Sequence, residues 1–144
     1  MATVELRFSA LPEHVRTARL VAAAVARRAG VDEAVLDEVR LAVGEACSRA
    51  VGLHQAVGIT EPVRVALIEE EKQFSIEVGD EAPRSVPGDR SSGGTADADV
   101  EAEEDEMGLA VISGLVDDVE VTAGEHGGLI RMTWPTTPPG VALT

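Results

Sequence analysis

Two segments in the middle of the chain alternate apolar and polar residues and are separated by only three positions. Residues 63–69 read VRVALIE and residues 73–80 read QFSIEVGD. Alternation with a period of two predicts half-buried strands. The connection Glu70-Glu71-Lys72 is long enough for a hairpin but far too short for a parallel crossover. The fold must therefore contain an antiparallel sheet, whose buried face is expected to carry Val63, Val65, Leu67, Phe74, Ile76 and Val78.

Three further strands have the same kind of pattern. Residues 3–8, TVELRF, alternate Val, Leu and Phe with polar residues. Residues 118–123 and 128–134 flank a glycine-rich turn, which predicts a second hairpin.

Helical spacing occupies the positions between these strands. Residues 12–29 and 33–51 have apolar residues at intervals of three and four, which predicts two amphipathic helices. Asp32 is suited to cap the second helix, which we expect to end near Val51–Gly52. A third, short helix is predicted over 107–117. The expected buried positions are Val15, Ala18, Val21 or Ala22, and Val25 in the first helix, and Leu36, Val39, Val43, Ala46 and Ala50 in the second.

The element order is β-α-α-β-β-loop-α-β-β. Strands that follow one another as hairpins, with helices inserted between them, predict an α+β two-layer sandwich. Its sheet should be mixed and mostly antiparallel, with the helices on one face. We expect one domain over residues 1–134, with a flexible acidic lid at 86–106 and a frayed tail at 135–144, because these segments are poor in apolar residues.

The net charge of −14 argues against two classes of partner. Nucleic acids and anionic membranes both require clustered cations, so neither is expected. The sequence contains no signal peptide and no apolar run of membrane-spanning length, which favours the cytoplasm. Its one cysteine, Cys47, is expected to be a small buried residue.

Four segments resemble, in the same order, the conserved boxes of the GHKL (Bergerat-fold) ATPases. LDEVRLAVGEACSRAV is similar to the box helix of the bacterial anti-sigma-factor serine kinases, which reads roughly L-x-V-x-E-A-x-x-N-A-V. VGDEAPR (78–84) resembles the next box, D-x-G-x-G. MGLAVISGLVDDVEV resembles the third box, G-x-G-L, and GGLIRMTW resembles the last strand.

The resemblance implies a role for each matching position. Glu45 stands where the family has a general base toward a serine of a partner protein. Arg49 stands where an asparagine holds Mg²⁺, and Asp80 where an aspartate accepts a hydrogen bond from adenine. Gly108 and Leu109 match the third box, where the backbone approaches the nucleotide. Together these residues would form the nucleotide pocket.

The sequence departs from the family where the nucleotide should bind. A guanidinium has no acceptor atom, so Arg49 cannot coordinate Mg²⁺, and at a spacing of four residues it could pair with Glu45. Ala82 and Pro83 replace a permissive glycine segment, and Glu106 replaces the first glycine of the third box.

These departures predict a protein that has lost Mg²⁺-dependent kinase chemistry, with Glu45 in an inactive base position. We expect it to require no cofactor and no metal; ATP binding stays possible, and Mg²⁺ is not expected to bind. By resemblance, its partners would be a STAS-domain anti-anti-sigma protein, a sigma factor, or both, and it could form a homodimer. Two alternatives remain: an active serine kinase that phosphorylates a STAS-domain protein, and a nucleotide-sensing module without a sigma-factor partner.

Overall fold

The computed structural model describes residues 2–83, 109–116 and 118–136. Five strands and two long helices follow the predicted order, and residues 109–115 are also helical (α3). The elements are β1 (Ala2–Phe8), α1 (Glu13–Ala29), a 3-10 turn (Glu33–Val35), α2 (Leu36–Val57), β2 (Val63–Glu69), β3 (Gln73–Asp80), β4 (Asp118–Gly124) and β5 (Gly127–Pro135).

The strands form one sheet in the order β1-β2-β3-β5-β4. Each neighbouring pair in this sheet is antiparallel. The register places Val65 opposite Val78, and Val78 opposite Ile130, so that buried residues form a continuous row across the central strands. The predicted α+β fold is confirmed, and the sheet is antiparallel throughout rather than mixed.

The helices cover one face of this sheet. The apolar positions predicted for β2 and β3 are all buried in the same core cluster as the inner faces of α1 and α2. The alternate positions of the central strands are polar: Ser75 Oγ lies 3.0 Å from Thr133 Oγ1, and Arg131 contacts Glu70 and Glu77 at 3.3 and 3.5 Å. The sheet is therefore apolar toward the helices and polar on its other face.

Small residues form the buried face of α1. Ala22 and Ala26 are completely buried, whereas Val21 and Val25 are only half-buried. The buried face of α1 is therefore centred on the alanines and not on the two valines. Alanine at such positions allows two helices to approach closely. The predicted burial of Val15 and Ala18 is confirmed.

Helix α2 begins as predicted but ends later. Asp32 accepts a hydrogen bond from the Ala34 N–H at 2.9 Å and caps the 3-10 turn that leads into the helix. The five predicted core positions of α2 are all buried. The predicted end near Val51–Gly52 is wrong, because the helix continues to Val57 and stops at Gly58, which has a φ of 70°. Gly52 is exposed and helical. The low helix propensity of one glycine costs too little free energy to end the helix here, because the next turn is buried in the core.

Strand β5 extends to Pro135, and the Thr136 N–H donates to Lys72 O at 3.1 Å. The predicted lid at 86–106, the box residue Gly108 and the tail from residue 137 lie outside the described residues. No helix in the described ranges is long and apolar enough to cross a membrane.

Candidate functional site

Helix α2 places Glu45 and Arg49 one turn apart. Glu45 is exposed and Arg49 is half-buried, while the intervening Ala46 and Cys47 are fully buried. Helix α1 approaches α2 closely at this point. A Cβ on Gly44 would lie 2.7 Å from the Arg19 Cδ, so the aliphatic part of Arg19 occupies the space beside the Gly44 backbone. The absence of a side chain at position 44 thus lets Arg19 pack against the backbone of α2 at Gly44.

The spacing of four residues allows Glu45 and Arg49 to pair. In the part of the chain that the structure describes, no ion pair joins these two side chains, and Arg49 has other polar or charged contacts. Spacing of four residues makes such a pair available on a helix, but the pair is worth only a few tenths of a kcal/mol. A half-buried guanidinium and an exposed carboxylate do not need to meet for the helix to be stable.

Cys47 is buried as predicted. Burial disfavours the thiolate and raises the pKa of the thiol from its ordinary value of 9.0 to about 12. The side chain is therefore a neutral, apolar part of the core and is unsuited to act as a nucleophile.

Strand β3 ends at Asp80, whose side chain is only 3 % exposed. Its Oδ1 accepts a hydrogen bond from the Ala82 N–H at 3.0 Å, so the carboxylate fixes the backbone that follows it. Ala82 is itself buried and Pro83 is exposed. We refer to residues 80–83 as the Asp80 loop. Asp80 is thus a buried loop-forming carboxylate rather than an ordinary surface turn residue.

The β4–β5 turn approaches the backbone of the Asp80 loop closely at Gly127. Gly127 has a φ of 120°, and a Cβ at this position would lie 2.0 Å from Asp80 O and 3.0 Å from the Glu81 Cα. Only glycine fits both this conformation and this distance. The second hairpin therefore lies directly against the end of β3.

His54, in the last turns of α2, connects the helix to the Asp80 loop. The imidazole is completely buried; its Nε2 accepts a hydrogen bond from the Glu81 N–H at 2.8 Å, and its Nδ1 lies 2.9 Å from Glu61 O. Sequence reasoning missed this residue, because the three histidines are scattered without ligand spacing and both partners of His54 are backbone atoms. The one sequence feature that could have pointed to His54 is its position just beyond the predicted end of the helix.

Carboxylates surround the outer side of the Asp80 loop. Glu81 pairs with Arg64 at 3.3 Å. An open groove of about 500 Å³ next to this pair is lined by Glu61, Glu81, Glu125 and His126, together with Pro83 and residues 58–60. The net charge of this rim is negative.

The structure brings only some of the predicted site residues together. Asp80 lies beside the end of α2 through His54, and Arg49 is about 7.5 Å upstream of His54 along the helix axis, at 1.5 Å per residue. Glu45 is about 14 Å from His54 by the same measure. Leu109 is half-buried and packs against the core, while its predicted neighbour Gly108 is not among the described residues.

The side chains at the predicted metal position do not fit Mg²⁺. This ion requires oxygen ligands, and Arg49 offers only N–H donors. Among the described residues, no group of three or more His, Cys, Asp or Glu side chains is placed to hold a metal ion.

Comparisons with known proteins agree with this architecture. Residues 8–134 match the family described as the histidine kinase-like ATPase domain. No curated protein matches the chain. A similar solved structure is that of the RsbU and RsbW domains of Rv1364c from Mycobacterium tuberculosis, with a TM-score of 0.66 and 17 % identity over 96 % of this chain and 34 % of that one. This likeness shows the fold alone, and the chain spans about a third of that protein. The family match over most of the sequence shows that this chain belongs to the histidine kinase-like ATPase domain family.

Proposed function

We propose that this chain is an anti-sigma-factor-like regulator that acts by binding other proteins in a bacterial partner-switching pathway, without Mg²⁺-dependent kinase activity. Two kinds of support exist for the pathway: the resemblance of the four boxes to anti-sigma-factor serine kinases, and the fold-level likeness to a protein with an RsbW domain. The expected partners are a STAS-domain anti-anti-sigma protein, a sigma factor, or both.

Arg49 is the observation that carries the proposal. It lies on α2 one turn after Glu45, at the position where the resemblance places a Mg²⁺-holding asparagine. A guanidinium adds a positive charge and five donors but no acceptor, so it opposes a divalent cation at that point. Without the metal, the charge that develops on a transferred phosphoryl group is not neutralised in the usual way.

The Asp80 loop supports the same reading. The second box should be glycine-rich so that its backbone can approach a nucleotide. In this chain Ala82 is buried, its N–H is used by Asp80, and the Glu81 N–H is used by His54. A loop whose N–H groups are occupied internally is better suited to a fixed protein surface than to accommodating a nucleotide.

The charge of the molecule suits a basic partner surface. The chain carries −14 overall, and three glutamates line the groove beside the Asp80 loop. Such a surface attracts cationic patches on other proteins and speeds their association.

The experiment is a phosphotransfer assay with Mg²⁺, radiolabelled ATP and each purified STAS-domain protein that the same genome encodes. We expect no phosphorylation above that of a Glu45→Ala control, whereas calorimetry should detect binding to at least one STAS-domain protein. Mg²⁺-dependent phosphorylation that Glu45→Ala abolishes would overturn the proposal, as would the failure of every STAS-domain protein and sigma factor of that genome to bind.

One observation favours the second candidate, an active serine kinase. Glu45 is exposed, and among the described residues no ion pair joins it to Arg49, so its carboxylate is open to the hydroxyl of a partner protein. In that case Arg49 would neutralise phosphate charge in place of the metal. The same assay, run also without Mg²⁺, separates the two candidates, because phosphorylation that Glu45→Ala abolishes would show the kinase whether or not it requires the metal.

A further inference from the structure

His54 is a polar side chain with no exposed surface, held between three segments of the chain. It belongs to α2, it contacts Glu61 in the connection to β2, and it contacts Glu81 in the Asp80 loop. Both ring nitrogens have partners at hydrogen-bond distance, 2.9 Å and 2.8 Å away. A buried imidazole with two backbone partners is a structural connection, and the question is which part of the molecule it positions.

The partners assign the proton of the ring. The Glu81 N–H can only donate, so Nε2 must accept and therefore carries no proton. Glu61 O can only accept, so Nδ1 must donate and carries the proton. The geometry thus requires a neutral imidazole in one tautomer, because an imidazolium would direct an N–H at the Glu81 N–H.

The remaining contacts of the Asp80 loop do not replace this bond. Asp80 Oδ1 holds the Ala82 N–H, and Arg64 holds the Glu81 side chain at 3.3 Å. Gly127 packs against Asp80 O. Among the described residues, the His54 acceptor joins the main chain of the loop to α2, the helix that also carries Glu45 and Arg49.

We propose that His54 is a positioning residue that fixes the Asp80 loop to the end of α2 through the Glu81 N–H. The two segments of the pocket, which are far apart in the sequence, then move as one unit. His54 holds the loop in place whatever the pocket binds. The effect of His54 on ligand recognition rests on the proposed function, in which Asp80 and its neighbours form part of the binding surface.

Two substitutions separate the two hydrogen bonds of the ring. In His54→Gln, the side-chain oxygen reaches about as far as Nε2 and can accept from the Glu81 N–H. In His54→Asn, the shorter amide reaches only the Nδ1 position and can donate to Glu61 O but not accept from Glu81. Both variants remove the ring, so they lose similar packing, and they differ in which backbone partner they keep.

The measurement is hydrogen exchange of the Glu81 amide in the full chain by NMR. We expect exchange to be about tenfold faster than in the parent for His54→Asn and nearly unchanged for His54→Gln, because a hydrogen bond of ordinary strength is lost only in the first. Arg64→Ala is the matched control, since it removes the contact to the Glu81 side chain and leaves the hydrogen bond from the Glu81 N–H to His54 in place. The proposal would be overturned if the Glu81 amide exchanged at the same rate in the parent and in His54→Asn. It would also be overturned if exchange were accelerated equally in His54→Asn and His54→Gln.

A second measurement uses the parent alone and covers the case in which neither variant folds. A scalar coupling across the hydrogen bond between the Glu81 amide nitrogen and His54 Nε2 is expected, with the ring proton on Nδ1. A proton on Nε2, or no coupling in a folded sample with resolved signals, would contradict the assignment. Neither readout uses ATP or a partner, so their outcome is independent of the phosphotransfer assay.

Discussion

At the scale of single residues, the site depends on a few backbone approaches that only particular side chains allow. Gly127 is the clearest case, since its positive φ and its contact with Asp80 O each exclude a side chain. Gly124, at the other end of the same turn, has nothing within 4 Å of its Cβ position. The two glycines therefore differ in function although they lie three residues apart.

Gly127→Ala should reduce the free energy of unfolding by about 2–4 kcal/mol, because a methyl group would force both backbone strain and displacement of the Asp80 loop. Gly124→Ala is the control and should change stability by less than about 1 kcal/mol. Urea denaturation followed by circular dichroism measures both values. A loss for Gly127→Ala no larger than that of the control would show that the turn does not press against the loop.

Residue-scale features were also the least predictable from the sequence. The spacing of Glu45 and Arg49 allows a pair, but spacing says nothing of how deeply each side chain is buried. His54 was missed because its partners are the backbone atoms of Glu61 and Glu81, and backbone atoms leave no pattern in the amino-acid sequence. Asp80 was found only through its resemblance to a family box.

At the scale of elements, the strands and the helix faces followed from periodicity. The alternation of apolar and polar residues predicted both ends of β2 and of β3 correctly, because a sheet with one buried face requires that alternation. The end of α2 did not follow, since a glycine can either stop a helix or lie within it. Gly52 is helical, whereas Gly58 adopts the left-handed conformation that ends the helix, and tertiary contacts of the last turns decided between them.

This difference predicts opposite effects for the same substitution in one helix. Gly52→Ala should raise the free energy of unfolding by about 0.5–1 kcal/mol, because alanine is the better helix former and its Cβ meets nothing within 4 Å. Gly58→Ala should lower it by about 1 kcal/mol, since its Cβ position is equally open but its φ is 70°. Thermal or urea denaturation of both variants beside the parent checks the sign. If both changed stability in the same direction, the assigned end of α2 would be wrong.

At the scale of the whole molecule, the order of elements predicted the layers, and the antiparallel sheet with helices on one face is confirmed. The structure shows that β3 pairs with β5 and that β4 lies at the edge of the sheet. The sequence did not predict this, because the pattern of a hairpin does not show which of its two strands pairs with the rest of the sheet. That pairing sets Gly128 opposite Asp80 and so builds the wall of the candidate site.

The central claim is that residues of this pocket, above all Arg49, prevent Mg²⁺-dependent nucleotide binding. If so, restoring the family residues by Arg49→Asn, Ala82→Gly and Glu106→Gly together should restore the binding. The parent should still recognise its protein partner, since protein recognition does not require the phosphate pocket.

Calorimetric titration with ATP, with and without Mg²⁺, tests this claim in the parent and in the triple variant. We predict that the parent gives no Mg²⁺-dependent heat of binding and that the triple variant binds ATP only when Mg²⁺ is present, because the new asparagine supplies the oxygen ligand that a guanidinium lacks. Binding of ATP by the parent that requires Mg²⁺, at an affinity equal to that of the triple variant, would contradict the account.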